Sequence, residues 1–195
     1  TKTEYLSPGE TVFPRLLAEL SAAQKYIFIE FFILAEGEMW ESIRKILKEK
    51  VKSGVDVRII FDDFGSISRQ SKGFIKELQT DGIKVCAFNK IRPSGDIFMN
   101  NRDHRKLLII DGKVGFTGGV NLADEYINEK NRFGHWKDNA VMLRGDAVVS
   151  FTMMFLQMWE LDEKDPNHEG LLAVPAPLPQ RPGGFVIPYG DCPLD

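Results

Sequence analysis

Cysteine is nearly absent: Cys86 and Cys192 are the only two, far apart and in no CxxC pair. That excludes a disulfide scaffold and a thiolate zinc site, and Cys86, inside an apolar run, reads as a buried thiol. Histidine is almost as scarce. His104, His135 and His168 have no zinc-type spacing, so no metal or other cofactor is expected. There is no Walker loop and no dinucleotide-binding fingerprint. No basic stretch followed by an apolar core opens the chain, so no signal peptide is expected. The most apolar stretch, 27–35, is interrupted by Glu30 and is too short to cross a bilayer, which excludes a transmembrane segment. The net charge of −3 argues against a general polyanion binder, and no nucleic-acid partner is expected. The chain begins at Thr1 rather than Met and reads as an excised piece, with any membrane anchors upstream.

Of the 195 residues, 43% are hydrophobic and 27% charged, which suits one α/β domain with a modest extra piece. Residues 1–8 read as a lead-in. Residues 10–24 have a helical period, in which Pro14 is acceptable only within the first turn. Strands are expected at 25–34, 55–61, 83–88 and 139–143. Helices are expected at 36–52, 71–80 and 146–161. Strands alternating with helices imply crossover units, hence an α/β fold with a mixed, largely parallel sheet flanked by helices on both faces. Residues 90–101 read as a loop. From Asp162 the character shifts: seven prolines punctuate the remainder, so the domain is expected at 1–162 and a Pro-rich linker at 163–195, with no internal repeat.

The chemistry gathers between Asn100 and Asn121, in N-N-R-D-H-R-K-L-L-I-I-D-G-K-V-G-F-T-G-G-V-N. Leu107 to Ile110 is an apolar run suited to a strand buried on both faces. Side chains two apart share a face, so His104 and Lys106 project together while Arg105 points the other way. Asp111-Gly112 is a tight-hairpin signal, and 113–117 reads as the returning strand. Gly118-Gly119 turns the chain, and Asn121 precedes a helix-like segment, 122–130. An imidazole, an ammonium and a carboxamide near a helix N-terminus suit attack on a phosphate and its retention.

This spacing, H-x-K-x4-D-x6-G-G-x-N, resembles the signature of the phospholipase D superfamily. The surrounding R-D-H-R-K-L-L-I-I-D-G-K-V-G-F-T-G-G-V-N-L-A-D-E-Y is most similar to bacterial cardiolipin synthases, and the likeness runs from Phe28 to Trp159. Many members of the superfamily have Ser where Gly119 stands; cardiolipin synthases often have Gly. The resemblance implies the N-terminal catalytic half of a two-half enzyme at a bacterial membrane surface, facing the cytoplasm. Each half would give one His and one Lys to a shared site. The reaction implied is phosphatidyl transfer between two phosphatidylglycerol molecules through a phosphohistidine, giving cardiolipin and glycerol. Alternatives are a single-motif phosphodiesterase or nuclease acting as a homodimer, and an inactive half that only docks a partner.

For individual residues, His104 is a candidate nucleophile or general acid, against a hydrogen-bonded core histidine. Lys106, Asn121 and Gly119 are candidates for the phosphate site. The plainer readings are a snorkelling lysine for Lys106 and a helix N-cap for Asn121. Asp111 is a candidate catalytic carboxylate whose role as a turn residue is at least as strong, and the resemblance places it as structural support. Asp138 is expected to accept a hydrogen bond from the second imidazole nitrogen, against a surface carboxylate. Glu30 needs a partner if buried and is expected to approach the Lys or Arg groups of the site. Asp62 and Asp63 are read as loop-structuring. His135 and Trp136 are expected near the mouth of the site, and His168 is expected to be inert.

Overall fold

The computed structural model describes residues 1–91, 101–161, 168, 170–174 and 184–190. Most of the expected loop at 90–101 and of the expected linker at 163–195 lies outside these residues. In chain order the elements are β1 (Lys2–Leu6), α1 (Gly9–Ala22), β2 (Tyr26–Phe31), α2 (Glu38–Lys52) and β3 (Asp56–Asp62). They continue with α3 (Asp63–Ser66), α4 (Phe74–Thr80), β4 (Lys84–Phe88), β5 (Lys106–Ile110), β6 (Val114–Gly118), β7 (Ala140–Arg144) and α5 (Val148–Trp159).

Seven strands form one mixed sheet in the order β1-β7-β6-β5-β2-β3-β4. The β2–α2–β3 and β3–α4–β4 crossovers make the expected parallel pairs. The β1–β7, β7–β6, β6–β5 and β5–β2 pairs are all antiparallel, so parallel pairing is confined to one side of the sheet. The physical reason is local. β5 and β6 are joined by the three residues Asp111 to Lys113, in which Asp111 and Gly112 both have positive φ (54° and 64°) and Lys113 N–H closes the turn on the Ile110 carbonyl (3.0 Å), a geometry that reverses the chain without a crossover.

Period-two alternation divides the strands between two cores. On one face Ile27, Ile29, Phe31, Ile59, Phe61, Leu108 and Ile110 pack with Leu16 and Leu20 of α1 and Met39, Trp40, Ile43 and Leu47 of α2. On the other face Phe28, Ile60, Leu107 and Ile109 pack with Phe151, Phe155 and Trp159 of α5. The helices therefore flank both faces, and β2 and β5 at the centre are buried throughout.

Three expectations are corrected. The lead-in is strand β1, whose K-T-E-Y-L pattern buries only Leu6; it is an edge strand held by its ladder to β7, and its charges blunt the open edge. Pro14 lies in the second turn of α1, beyond the first, and the helix continues through it because Val12, Leu16 and Leu20 anchor the apolar face on both sides. The helix-like segment after Asn121 is only a 3-10 turn, Asp124–Ile127, ended by Asn128 in the left-handed region. The Asp124 carboxylate is engaged elsewhere: it accepts the N–H groups of Glu38 (3.1 Å) and Met39 (2.9 Å) and so caps α2 from a distance. Gly37 leaves the room, since a Cβ there would lie 2.3 Å from an Asp124 oxygen.

Candidate active site

β5 runs antiparallel to β2 and pairs Lys106 with Phe31. The start of β5 therefore lies at the carboxyl ends of β2 and β3, the edge where α/β sheets gather their sites. β6 ends there too, with Thr117 opposite Leu107, and β7 begins there, with Ala140 opposite Gly118. The result is a polar cavity of about 420 Å³ lined by His104, Arg105, Lys106, Thr117, Gly118, Gly119, Asn121, Tyr126 and Asp138. Of the expected site residues, His104, Lys106, Asn121, Gly119 and Asp138 are thus brought together.

His104 sits two residues ahead of β5. Its imidazole leans on Phe32, ring centroids 4.8 Å apart, and makes no hydrogen bond among the described residues. Desolvation lowers its pKa, and the neighbouring Lys106 charge lowers it further, so the ring is neutral at neutral pH. Lys106 is buried. Its ammonium donates to the carbonyl of His104 at 2.6 Å and faces the Phe32 ring at 5.4 Å. Burial brings the Lys106 pKa down to about 8, opposed by the charges of Asp103 and Asp138.

Asn121 accepts the Ile33 N–H through Oδ1 (3.0 Å) and donates through Nδ2 to the Tyr126 hydroxyl (2.8 Å). It does not cap the following turn through its side chain, so that reading is set aside. A carboxamide nitrogen carries two donors, so one N–H of Asn121 is left for the cavity. Gly119 supplies space rather than a donor: its N–H is bound to the Asn139 carbonyl at 3.0 Å. A Cβ at this position would lie 2.0 Å from Oδ1 of Asp138. Gly119 and Asp138 are therefore a matched pair.

Asp138 has other partners than the one expected. Its Oδ2 accepts Trp136 Nε1–H (3.2 Å) and its Oδ1 accepts the Asn139 N–H (2.8 Å). Its charge favours the protonated form of Lys106. The nearest carboxylates acting on His104 are Asp103 and Asp62, neither of which was singled out for that role. Asp103 stands next to His104 in the chain, and only its 5% exposure separates it from a surface aspartate. Trp136 reaches the mouth of the cavity through Asp138, whereas His135 turns away to Glu10 on α1 (3.2 Å). Exposed and on the far side of the turn, His135 takes no part. His168 pairs with Glu160.

Asp111 leaves the catalytic set. It lies seven residues from His104, at the opposite end of β5, roughly 20 Å away at strand rise. Its carboxylate accepts the N–H groups of Gln24 (2.9 Å), Lys25 (2.7 Å) and Tyr26 (3.0 Å), fastening the α1–β2 connection to the hairpin. Asp111→Ala is expected to lower stability by about 2 kcal/mol, because three backbone donors lose their acceptor and alanine is strained at positive φ. Turnover per folded molecule should be unchanged; urea unfolding with an activity assay on the folded fraction checks both. Asp62 and Asp63 are likewise used on backbone, Asp62 by Gly65 and Asp103 N–H, and Asp63 by Ile91 N–H.

Glu30 is fully buried on the α5 face, and its Oε1 lies 2.8 Å from Arg105 Nε. The alternation that turns Arg105 away from Lys106 thus delivers it to Glu30. Behind His104 the polar cavity meets a second, larger space of about 950 Å³. His104, Arg105, Lys106 and Thr117 border both. The second space is walled mainly by Leu107, Val141, Leu143, Phe151, Met154, Met158 and Leu161, with Val186 to Gly190 along one side, and Phe88, Asn101, Arg102 and Asp103 complete its lining.

The sheet order and the site at the start of its central antiparallel strand define a phospholipase D-like fold. Nuc from Salmonella typhimurium, a phospholipase D family member of solved structure, superposes with a TM-score of 0.63 over 82% of this chain and 94% of that one, at 20% identity. Within that fold, the chain belongs to the family described as cardiolipin synthase, PLD-like domain, whose model matches residues 16–159. A cardiolipin synthase from Geobacillus kaustophilus is 38% identical over 160 residues, covering 82% of this chain and 32% of that protein. An uncharacterised protein from Streptococcus mutans is 46% identical across the whole chain and 42% of its own length. The chain thus spans a third to two fifths of the length of these relatives. No helix among the described residues is long and apolar enough to cross a membrane.

Proposed function

We propose that this domain is one catalytic half of a phosphatidyltransferase that makes cardiolipin from two molecules of phosphatidylglycerol. The observation that carries the reading is the junction of the two spaces. A polar cavity holding His104 and Lys106 opens directly onto a largely apolar groove walled by β5, β7 and α5. A diester whose phosphate rests on Lys106 would lay its diacylglycerol portion along Leu143, Met154 and Met158. A nucleic acid has no comparable apolar portion to place there.

In the proposed reaction the neutral His104 imidazole attacks phosphorus. The bond from phosphorus to the headgroup glycerol oxygen breaks, and that oxygen takes a proton from the imidazolium of a second, equivalent site. The P–N bond of the phosphohistidine is the product of this step. The second imidazole then removes the proton from a hydroxyl of another phosphatidylglycerol. That oxygen attacks phosphorus, the P–N bond breaks, and cardiolipin leaves. Lys106 and the free N–H of Asn121 stabilise charge on the non-bridging oxygens. The domain carries one motif histidine, so the partner imidazole comes from a second half of the same protein or from a second copy. Two apposed histidines also fit a phosphodiesterase, but that reading leaves the groove without a use.

The test uses the full-length protein with phosphatidylglycerol vesicles, following cardiolipin and released glycerol in equal amounts. Met154→Asp with Met158→Asp is expected to lower kcat/KM for the lipid at least about tenfold, since two carboxylates would enter an apolar wall. Cleavage of a small water-soluble phosphodiester should be unchanged. Equal loss on both substrates, or turnover of DNA in place of lipid, would overturn the reading.

A further inference from the structure

Glu30 is completely buried, and neither of its carboxyl oxygens has a hydrogen-bond partner; Oδ2 of Asp103, 5% exposed, is unpartnered as well. A carboxylate in such a place would be a costly orphan. The surroundings offer little to balance it. In register with Glu30, β3 contributes Ile60 and β5 contributes Leu107. α5, over the same face, has no charged residue between Val148 and Trp159. The charged groups that face it are Asp103 and Arg105, with Asp62 and Arg102 next beyond them.

Arg105 does not neutralise both acids. Its Nε carries a single proton and lies 2.8 Å from Glu30 Oε1 and 3.3 Å from Asp103 Oδ1, but the hydrogen bond of proper direction goes to Asp103. Asp103 Oδ1 also accepts the Arg105 backbone N–H at 3.1 Å. Arg105 therefore gives Asp103 a hydrogen bond and Glu30 only a charge contact, and Glu30 has no hydrogen bond unless it carries its own proton.

We propose that Glu30 is a neutral carboxylic acid whose O–H is donated to Oδ2 of Asp103, and that this bond holds the Asp103–Arg105 segment on which His104 is carried. One proton accounts for the orphaned atoms together: one Glu30 oxygen becomes the donor, Asp103 Oδ2 the acceptor, and the other Glu30 oxygen is an uncharged carbonyl facing Arg105. Burial, reinforced by the Asp103 charge, holds the Glu30 carboxyl well above the ordinary carboxylate range. The cluster is then balanced, one Asp103 carboxylate against one Arg105 guanidinium. Ionising Glu30 would break the bond and set a second carboxylate behind His104. It would favour the protonated imidazole and repel a phosphodiester. Glu30 is thus a positioning residue, acting through Asp103, and its catalytic consequence rests on the reading of His104 as the phosphoryl acceptor.

The experiment compares wild type, Glu30→Gln and Glu30→Ala in the full-length protein. A glutamine amide donates to Asp103 as the acid does, so Glu30→Gln should keep turnover within about threefold of wild type and melt close to it. Glu30→Ala should lose about 100-fold in kcat with KM little changed, the scale of a misplaced nucleophile. The infrared spectrum at pH 7 should show a protonated-carboxyl C=O band in wild type that is missing in Glu30→Gln. Absence of the band, or Glu30→Gln as damaged as Glu30→Ala, would overturn the proposal. The band and the melting curves do not depend on turnover, so they decide the protonation of Glu30 even if the transferase reading fails.

Discussion

On the proposed transferase reading, His104→Ala in the full-length protein is expected to abolish cardiolipin formation, a fall of roughly 10⁴-fold or more, while leaving the fold and its stability within about 0.5 kcal/mol of wild type. The two halves of the expectation have separate grounds. The imidazole is exposed on the cavity wall, makes no hydrogen bond among the described residues, and leans on the Phe32 ring, so its removal opens no buried void. Its chemistry has no substitute nearby. His135 is bound to Glu10 and His168 to Glu160, both away from the cavity. Lys106 is tied to the His104 carbonyl, and the carboxylates of the site lie behind His104 or against Trp136. Because desolvation and Lys106 lower the His104 pKa, the nucleophilic form persists to pH values below the ordinary histidine range. The acid limb of the wild-type profile should therefore lie lower than an unperturbed imidazole would place it. Vesicles of radiolabelled phosphatidylglycerol, quenched on the millisecond scale, report both turnover and the covalent phosphoenzyme. A folded His104→Ala protein that still makes cardiolipin at the wild-type rate would end the phosphohistidine account.

The residues that were legible in the sequence are those whose position depends on local period or spacing. The opposite directions of Lys106 and Arg105 follow from a two-residue repeat, and the structure sends one to the cavity and the other to Glu30. The Asp111-Gly112 turn follows from the backbone preferences of those residues, and the α2 face follows from its helical period. What escaped depends on contacts distant in the chain. Nothing within Lys2–Leu6 announces a strand, because its polar pattern makes sense only against β7. Asp124 caps α2 across more than 80 residues, which is invisible to any local capping rule. Asp138 is engaged by a donor that spacing to the motif does not reveal, Trp136 Nε1–H two residues away. Asp103 cannot be told from a surface aspartate in the sequence, which offers no measure of burial, and burial is what gives it influence over His104.

Lys106→Met should stabilise the domain while reducing turnover by about 10³-fold, and the two effects share one origin. The strand start buries an ammonium to 6% exposure and brings its pKa from 10.5 to about 8. That difference corresponds to about 3 kcal/mol held against the folded state at neutral pH. Some of the cost is returned through the bond to the His104 carbonyl and the contact with Phe32, so the net gain on substitution should be about 1–2 kcal/mol. The sign with pH follows from a folded pKa below the unfolded one. Below pH 8 lysine is charged in both states and the penalty is complete. Between about 8 and 10.5 the folded form sheds its proton first, the penalty fades, and the advantage of methionine narrows. Catalysis runs the other way, because the ammonium is what a phosphate oxygen would meet. A bound phosphate anion repays the desolvation and raises the lysine pKa, so phosphate affinity in wild type should fall as pH rises through about 8. Lys106→Met should bind phosphate weakly at every pH. Chemical unfolding of the full-length protein at several pH values, with phosphate titrations beside it, measures both trends. A Lys106→Met protein less stable than wild type at pH 7, with phosphate affinity unchanged, would show that the ammonium is a structural anchor rather than a strained ligand for the substrate.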